Sequence, residues 1–266
     1  MRSARTPLLL LGLAVAVSIV SIAAGPPMLV THRGIEPQAE QRLRAMANYL
    51  GSLQSFTVLA ASMDEVVLGS GEKIQLASES LVSVERPNHL RSEQVGATGP
   101  GGLAFWYDGR TMTLACKADG SYATIPAPST IDTVIDKVRK QYRIDAPGAD
   151  FLYSHPYEVL TEQVVSGRYV GRETIDSVAA DHLAFEGEAV DWQVWIQEGS
   201  QPLPLRFVVT TKGIKGRPQF TVRMSRWDPG IKVPAATWSY EPPVGARRLP
   251  SFPVDCRAQQ TQASRP

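Results

Sequence analysis

Hydrophobic and polar positions alternate with a period of two along much of this chain, most clearly over Asp191–Lys212. Trp192, Val194 and Ile196 alternate with Gln193, Trp195 and Gln197; further on, Leu205, Phe207 and Val209 alternate with Arg206, Val208 and Thr210. A period of two is the mark of a strand with one buried face. Gly199, Pro202 and Pro204 lie between the runs, where they supply turn chemistry and cannot sit inside a sheet ladder. The stretch predicts an antiparallel ribbon with one aromatic, apolar face.

Similar runs recur on both sides of it. Ser55–Leu68 and Lys73–Glu85 flank Gly69-Ser70-Gly71 as a long hairpin, and Pro87-Asn88 leads into a short strand around Leu90. Leu103–Tyr107, Arg110–Cys116 and Ser121–Ile125 are joined by Asp108-Gly109 and Asp119-Gly120, both strong hairpin dipeptides. Val164–Thr174, Asp181–Glu186, Gln219–Trp227 and Ala236–Tyr240 complete the strand set. The loop Gly96–Gly102 reads as the most flexible stretch of the chain. It precedes a strand and lacks G-x-G-x-x-G, which speaks against phosphate binding.

Only three segments have helical spacing. Glu36-Pro37 opens the first, with Leu43, Met46, Ala47 and Leu50 on one stripe and Gly51 as its expected stop. Ser129-Thr130-Ile131-Asp132 resembles a capping box ahead of Ile131, Val134, Ile135, Val138 and Tyr142. Pro156 starts a shorter helix running to about Gln163. About eleven strands in hairpin order with three helices predict an α+β fold: a single large antiparallel sheet over residues 36–250, with no domain boundary. So long a sheet must curl, because strands twist, which gives a half-barrel with the helices plugging its concave face.

The N-terminus changes the compartment. Arg2 and Arg5 precede the apolar run Pro7–Val20 and the small-residue stretch Ser21–Gly25, the parts of a secretory signal peptide. Cleavage after Ala23 leaves residues 24–35 as a spacer. An uncleaved anchor in the inner membrane is the alternative, since Pro7–Ala24 is about long enough to span a bilayer. No cysteine follows the run, which excludes lipidation there, and residues 251–266 read as a disordered tail. Of 266 residues 43% are hydrophobic, enough for a large core, and 27 basic residues against 26 acidic ones give a net charge of +1. No basic cluster suits a nucleic acid partner.

Catalytic motifs are absent from the sequence: there is no G-x-S-x-G, H-E-x-x-H, C-x-x-C or Walker pattern. His32, His89, His155 and His182 have no ligand spacing, so neither a metal nor a cofactor is expected. Asp181-His182 imitates an acid–base pair, but strand neighbours point to opposite faces, leaving a strand-end histidine with an ordinary contact. Cys116 and Cys256 are open to two readings, a bridge that pins the C-terminus or two unpaired thiols.

The run W-Q-V-W-I-Q-E-G-S-Q-P-L-P-L-R-F-V-V-T resembles a signature of an uncharacterised family of predicted periplasmic bacterial proteins. Phe105–Leu114, Ser121–Pro128 and Ser166–Gly171 are similar local runs, so the resemblance covers roughly Gln38 to Val244. That family in turn looks like a branch of the LolA/LolB superfamily of outer-membrane lipoprotein carriers. The resemblance implies a LolA-like half-barrel and a cavity for acyl chains, although no arginine of such a cavity can be matched to a position here.

On that basis the expected ligand wall is Leu43, Met46 and Leu50; Phe105 and Tyr107; Ile131, Ile135 and Val138; Trp192, Val194 and Ile196; Phe207 and Val209; Phe220 and Val222; and Trp238. Ordinary core packing is the other reading of the same residues. The expected function is a non-catalytic periplasmic carrier for a lipid, an acyl chain or another hydrophobic molecule. A sensor or interaction module with an envelope protein partner, and an enzyme, are the alternatives. Membrane contact is expected only through an uncleaved signal or in passing.

Overall fold

The computed structural model describes residues 34–94, 102–144 and 146–252, all within one compact unit of the chain. The stretch expected as a signal segment, most of the expected spacer, the expected flexible loop before Gly102 and the expected tail after Phe252 lie outside the described residues. In chain order the elements are α1 (Pro37–Ser52), β1 (Ser55–Val67), β2 (Lys73–Glu85), β3 (His89–Gln94), β4 (Leu103–Tyr107), β5 (Thr111–Cys116) and β6 (Ser121–Pro126). Then come α2 (Ile131–Tyr142), a 3-10 turn at Ala149–Leu152, α3 (Pro156–Thr161), β7 (Val164–Ile175), β8 (Val178–Gly187), β9 (Val190–Gln197), β10 (Pro204–Thr211) and β11 (Gln219–Pro229). A 3-10 turn at Ala235–Trp238 and β12 (Arg247–Arg248) complete the described elements.

All twelve strands form one open, curved sheet in the order β12-β6-β5-β4-β3-β2-β1-β11-β10-β9-β8-β7. Every pairing is antiparallel except the short one between β12 and β6. Register shifts at Thr57/Leu59, Pro204/Arg206, Val164/Ser166 and Tyr169/Gly171 mark the places where extra residues bend and twist the strands. The Pro204/Arg206 shift also redirects Leu205: it joins Ala180, Trp195 and Val208 on the outer face, against the simple alternation.

The inner face carries the helices. Ala39, Leu43, Met46, Ala47 and Leu50 are buried along the whole of α1. Of these, Ala39, Leu43, Met46 and Leu50 pack with Phe56 and Val58 of β1, Val84 of β2, Leu183 and Phe185 of β8, and Val194 and Ile196 of β9 in one cluster. The free edge at β7 is partly covered. Ile35 forms an isolated bridge to Gly167, Glu36 N–H donates to Gly167 O at 2.9 Å, and the Glu36 carboxylate accepts Tyr169 N–H at 3.0 Å. A strand edge guarded in this way has fewer free groups to template aggregation.

Three local expectations are corrected. Gly51 does not stop α1 with a left-handed turn; it lies inside the last turn, where an added Cβ would sit 2.7 Å from Ser154 O. The α2 box is shifted by one residue: Thr130 is the cap, and its reciprocal partner is Thr133 rather than Asp132. Asp132 instead accepts Ser154 N–H and the Ser154 hydroxyl, at 3.0 and 2.8 Å. Finally, Ala236–Tyr240 is not a strand. Pro234 leads into the 3-10 turn, and the segment crosses the outer face, with Tyr240 against Trp106 and Tyr122.

Candidate functional site

The expected wall comes together on the inner face with one exception. Leu43, Met46, Leu50, Tyr107, Ile131, Ile135, Trp192, Val194, Ile196, Phe207 and Val222 are buried members of a single cluster, and Phe105, Val138, Val209 and Phe220 pack on it half-buried. Trp238 is the exception: it stacks on His89 at 5.2 Å, outside that cluster. Its placement follows from the 3-10 turn, which breaks the alternation that put it among the strands.

Trp192 is the centre of the aromatic packing. Phe185 stacks on it at 4.0 Å, Phe207 lies 5.8 Å away, and Phe151 meets Phe207 edge-on at 5.0 Å. Aromatic pairs at such distances add to the burial of their area. Phe151 comes from the 3-10 turn after α2, so this turn anchors the cover to the sheet. Phe151, Leu183 and Phe185 were not among the expected wall residues. The alternation over Asp181–Glu186 was a signal for the last two; the isolated Phe151 had none.

Polar contacts fasten the cover. Arg86 donates to the carbonyls of Leu53, Leu152 and Tyr153 at 3.2, 2.8 and 3.1 Å, and burial lowers the affinity of its guanidinium for its proton. The Tyr153 hydroxyl donates to Asp136 at 2.8 Å; burial first, then that carboxylate, raises its pKa. Asp136 is held below the ordinary carboxylate range by Lys140 and then by Tyr153. The Tyr107 hydroxyl donates to Pro128 O at 2.6 Å, and burial pushes its pKa up to about 12.

Asp181 and His182 face opposite ways. Asp181 turns inward to Arg42 at 3.1 Å and the Tyr169 hydroxyl at 2.8 Å. His182 turns outward and is buried, with Nδ1 2.7 Å from Glu173 Oε1 and Nε2 2.9 Å from Gln193 Oε1. It is thus a mid-strand residue with two side-chain partners rather than a strand-end histidine. Cys116, at the end of β5, is disulfide-bonded, and Cys256 lies outside the described residues. No group of three or more His, Cys, Asp or Glu gathers as a metal site among the described residues.

Two grooves open on the outer face. One, of about 520 Å³, has His182, Ala184, Gln193 and Thr210 on its floor. The other, of about 270 Å³, lies between Leu81 and Ser83 of β2 and the crossing segment at Ile231, Val233 and Pro234. Neither was foreseen, because each depends on a turn or crossing segment that folds back over the sheet.

The family model described as predicted periplasmic protein (DUF2092) matches residues 39–250. Comparison with curated proteins gives no match. Among solved structures, an uncharacterised conserved protein from Thermus thermophilus is 13% identical with a TM-score of 0.46, covering 80% of this chain and 98% of its own. The lipoprotein LppX of Mycobacterium tuberculosis is 14% identical with a TM-score of 0.46, covering 75% of this chain and 100% of its own. A LolA superfamily protein from Nitrosomonas europaea is 10% identical with a TM-score of 0.40, covering 76% and 97%. At these scores the likenesses stay at the level of resemblance and carry no further argument.

Proposed function

The chain belongs to the family of predicted periplasmic proteins, and from that premise we propose that it is an exported, non-catalytic binding or carrier protein for an apolar ligand. The ligand class is a lipid, a lipoprotein acyl chain or another hydrophobic molecule, held on the inner face of the sheet. One observation supports this reading above the others: the apolar wall extends beyond what the helices bury. On the sheet side Val82, Phe105, Val209 and Phe220 stay half-buried, and on the cover side so do Val138, Tyr142, Ile144 and Leu152. The two sides approach each other where Gly148 comes near Val222.

An acyl chain entering that seam would bury methylenes worth roughly 0.8 kcal/mol each, so ten carbons gain about 8 kcal/mol before the costs of ordering and association. The net result is modest affinity, which suits a carrier that must release its load.

Native mass spectrometry of gently purified protein reads two things at once, the mature mass, expected to begin near Ala24, and any retained lipid. Delipidated protein should then bind long-chain fatty acids with a change in tryptophan emission that Trp192→Phe largely removes. Short-chain acids should bind scarcely at all. Filling the seam with Val209→Trp should weaken binding while thermal stability is kept. If no apolar probe binds, the carrier reading fails and the envelope interaction module takes its place.

A further inference from the structure

The outer-face groove of about 520 Å³ has a chemistry unlike that of the inner wall. Its depth comes from Ala184, a small side chain set between Gln193 on β9 and Arg168 on β7 by the strand register. One wall is the turn after β10, folded back so that Lys212 Nζ and Arg217 Nη2 both lie 2.8 Å from Asp191. Arg168 forms the other wall, 3.7 Å from Glu186 and beyond hydrogen-bond reach of it. Most of the acceptors here are engaged, Glu186 Oε1 being the carboxylate oxygen left with only the 3.7 Å contact to Arg168. Asp191 holds two cations, Glu186 also accepts the Ser166 hydroxyl at 3.2 Å, and Thr210 accepts Gln219 Nε2 at 3.1 Å.

The groups left over are mainly donors. Arg217 keeps Nε and Nη1, Arg168 keeps its whole guanidinium, and Gln193 keeps its amide nitrogen, none of them hydrogen-bonded among the described residues. Surplus donors with two guanidinium groups suit an oxyanion.

Gln193 also connects the groove to His182. The His182 ring stacks on Trp195 at 4.0 Å, and Arg206 covers the other side of that indole at 5.0 Å from its centroid. Glu173 bridges the pair, accepting Trp195 Nε1–H at 2.8 Å and meeting His182 Nδ1 at 2.7 Å. Those contacts, Trp195 first and then His182, hold the Glu173 carboxyl below its ordinary range, so it remains an anion beside the imidazole. The other charged groups around the ring are Arg206, Arg168 and, across the groove, Glu186, Asp191, Arg217 and Lys73, the last paired with Glu65 at 3.0 Å.

A doubly protonated imidazole donates from both nitrogens, so Gln193 must offer Oε1 to it and turn its NH₂ to the groove. When His182 is neutral and donates to Glu173, Nε2 becomes an acceptor. The Gln193 amide then reverses and presents its oxygen to the groove.

We propose that this groove is a second site, for a small anion carrying a carboxylate or a phosphate-like group, and that protonation of His182 strengthens binding there through Gln193. Sulfate and gluconate are suitable probes, because neither changes charge across the interval in which histidine titrates. Calorimetric or NMR titration of the full mature chain should show one or both binding several-fold more tightly at about pH 5.5 than at about pH 8. Preference for sulfate points to a phosphate-type ligand, and preference for gluconate to a carboxylate. Arg217→Gln, at an exposed position, should abolish binding at both pH values. Gln193→Met should leave weak binding that no longer depends on pH. If that variant does not fold, the side-chain amide resonances of Gln193 in the parent protein supply the readout, since they should shift with pH alongside the His182 ring. The site is disproved if neither anion binds, or if Arg217→Gln binds like the parent. Equal affinity of the parent at both pH values overturns the His182 coupling.

Discussion

Tyr107 shows how a single buried side chain ties stability to pH. Its ring is fully buried in the inner cluster and its hydroxyl is fixed on Pro128 O, so the neutral form is favoured and the pKa rises to about 12. An unfolded tyrosine ionises near pH 10. The group's contribution is therefore intact below about pH 10 and is lost as pH rises through the folded value, at most about 2–3 kcal/mol. Tyr107→Phe should cost about 1 kcal/mol at neutral pH, from the unpartnered carbonyl. The deficit should shrink and then reverse between about pH 10 and pH 12, because phenylalanine has no proton to lose. Denaturant unfolding of both proteins across that interval checks the sign; parallel curves would refute the assignment. At this scale the sequence was only partly legible. Alternation placed Tyr107 and Val194 inward, yet it also put Leu205 inward, because a register shift leaves no trace in the pattern. The pairing of His182 with Glu173 was hidden for another reason: the partners are brought together by the β7–β8 hairpin, nine residues apart.

Gly51 carries the lesson at the scale of elements. A glycine at the end of an apolar helical stripe reads as a stop, and the helix does end one residue later. The physical reason is different. The chain leading into α3 passes so close that a Cβ on residue 51 would meet Ser154 O at 2.7 Å and come within 3.9 Å of Pro156. Gly→Ala in a helix ordinarily stabilises by about 1 kcal/mol. Here Gly51→Ala should instead destabilise, by roughly 1–3 kcal/mol, since backbone must move to admit the methyl group. Thermal melts decide between the two, and any gain in stability would show that the segment yields easily. Element existence was readable because strong periodicity covers β1, β2, β9 and β10 and the stripe of α1. What periodicity could not give was the capping partner of Thr130 or the fate of Ala236–Tyr240, where contacts between segments distant in sequence outweigh local pattern.

At the scale of the whole molecule, the sheet and its helices differ in how firmly they are joined. α1 is buried along its length, from Ala39 to Leu50. α2 is buried only in its first half, at Ile131, Val134 and Ile135, while Val138 and Tyr142 remain half-buried. Its polar ties include sequence neighbours, Arg139 to Asp150, Asp136 to Tyr153 and Asp132 to Ser154. Arg86 on Leu152 and Tyr153, and the Tyr142–Phe252 ring contact at 4.6 Å, join it and the turn behind it to the rest of the molecule. The second half of α2 and the turn behind it thus form the less firmly held limb of the cover, anchored to the sheet where Phe151 meets Phe207. Local opening takes place where buried apolar contact is least. Amide exchange followed by mass spectrometry should therefore show the second half of α2 and residues 146–150 exchanging well before α1 and β9. Addition of a long-chain fatty acid should slow exchange in that limb more than elsewhere, because a ligand in the seam would bridge Val138 and Tyr142 to Val209 and Phe220. Uniform protection of α1 and α2 would mean that the cover is fixed and the inner wall is core alone. Faster exchange in the limb with no response to ligand would separate a flexible cover from a working one.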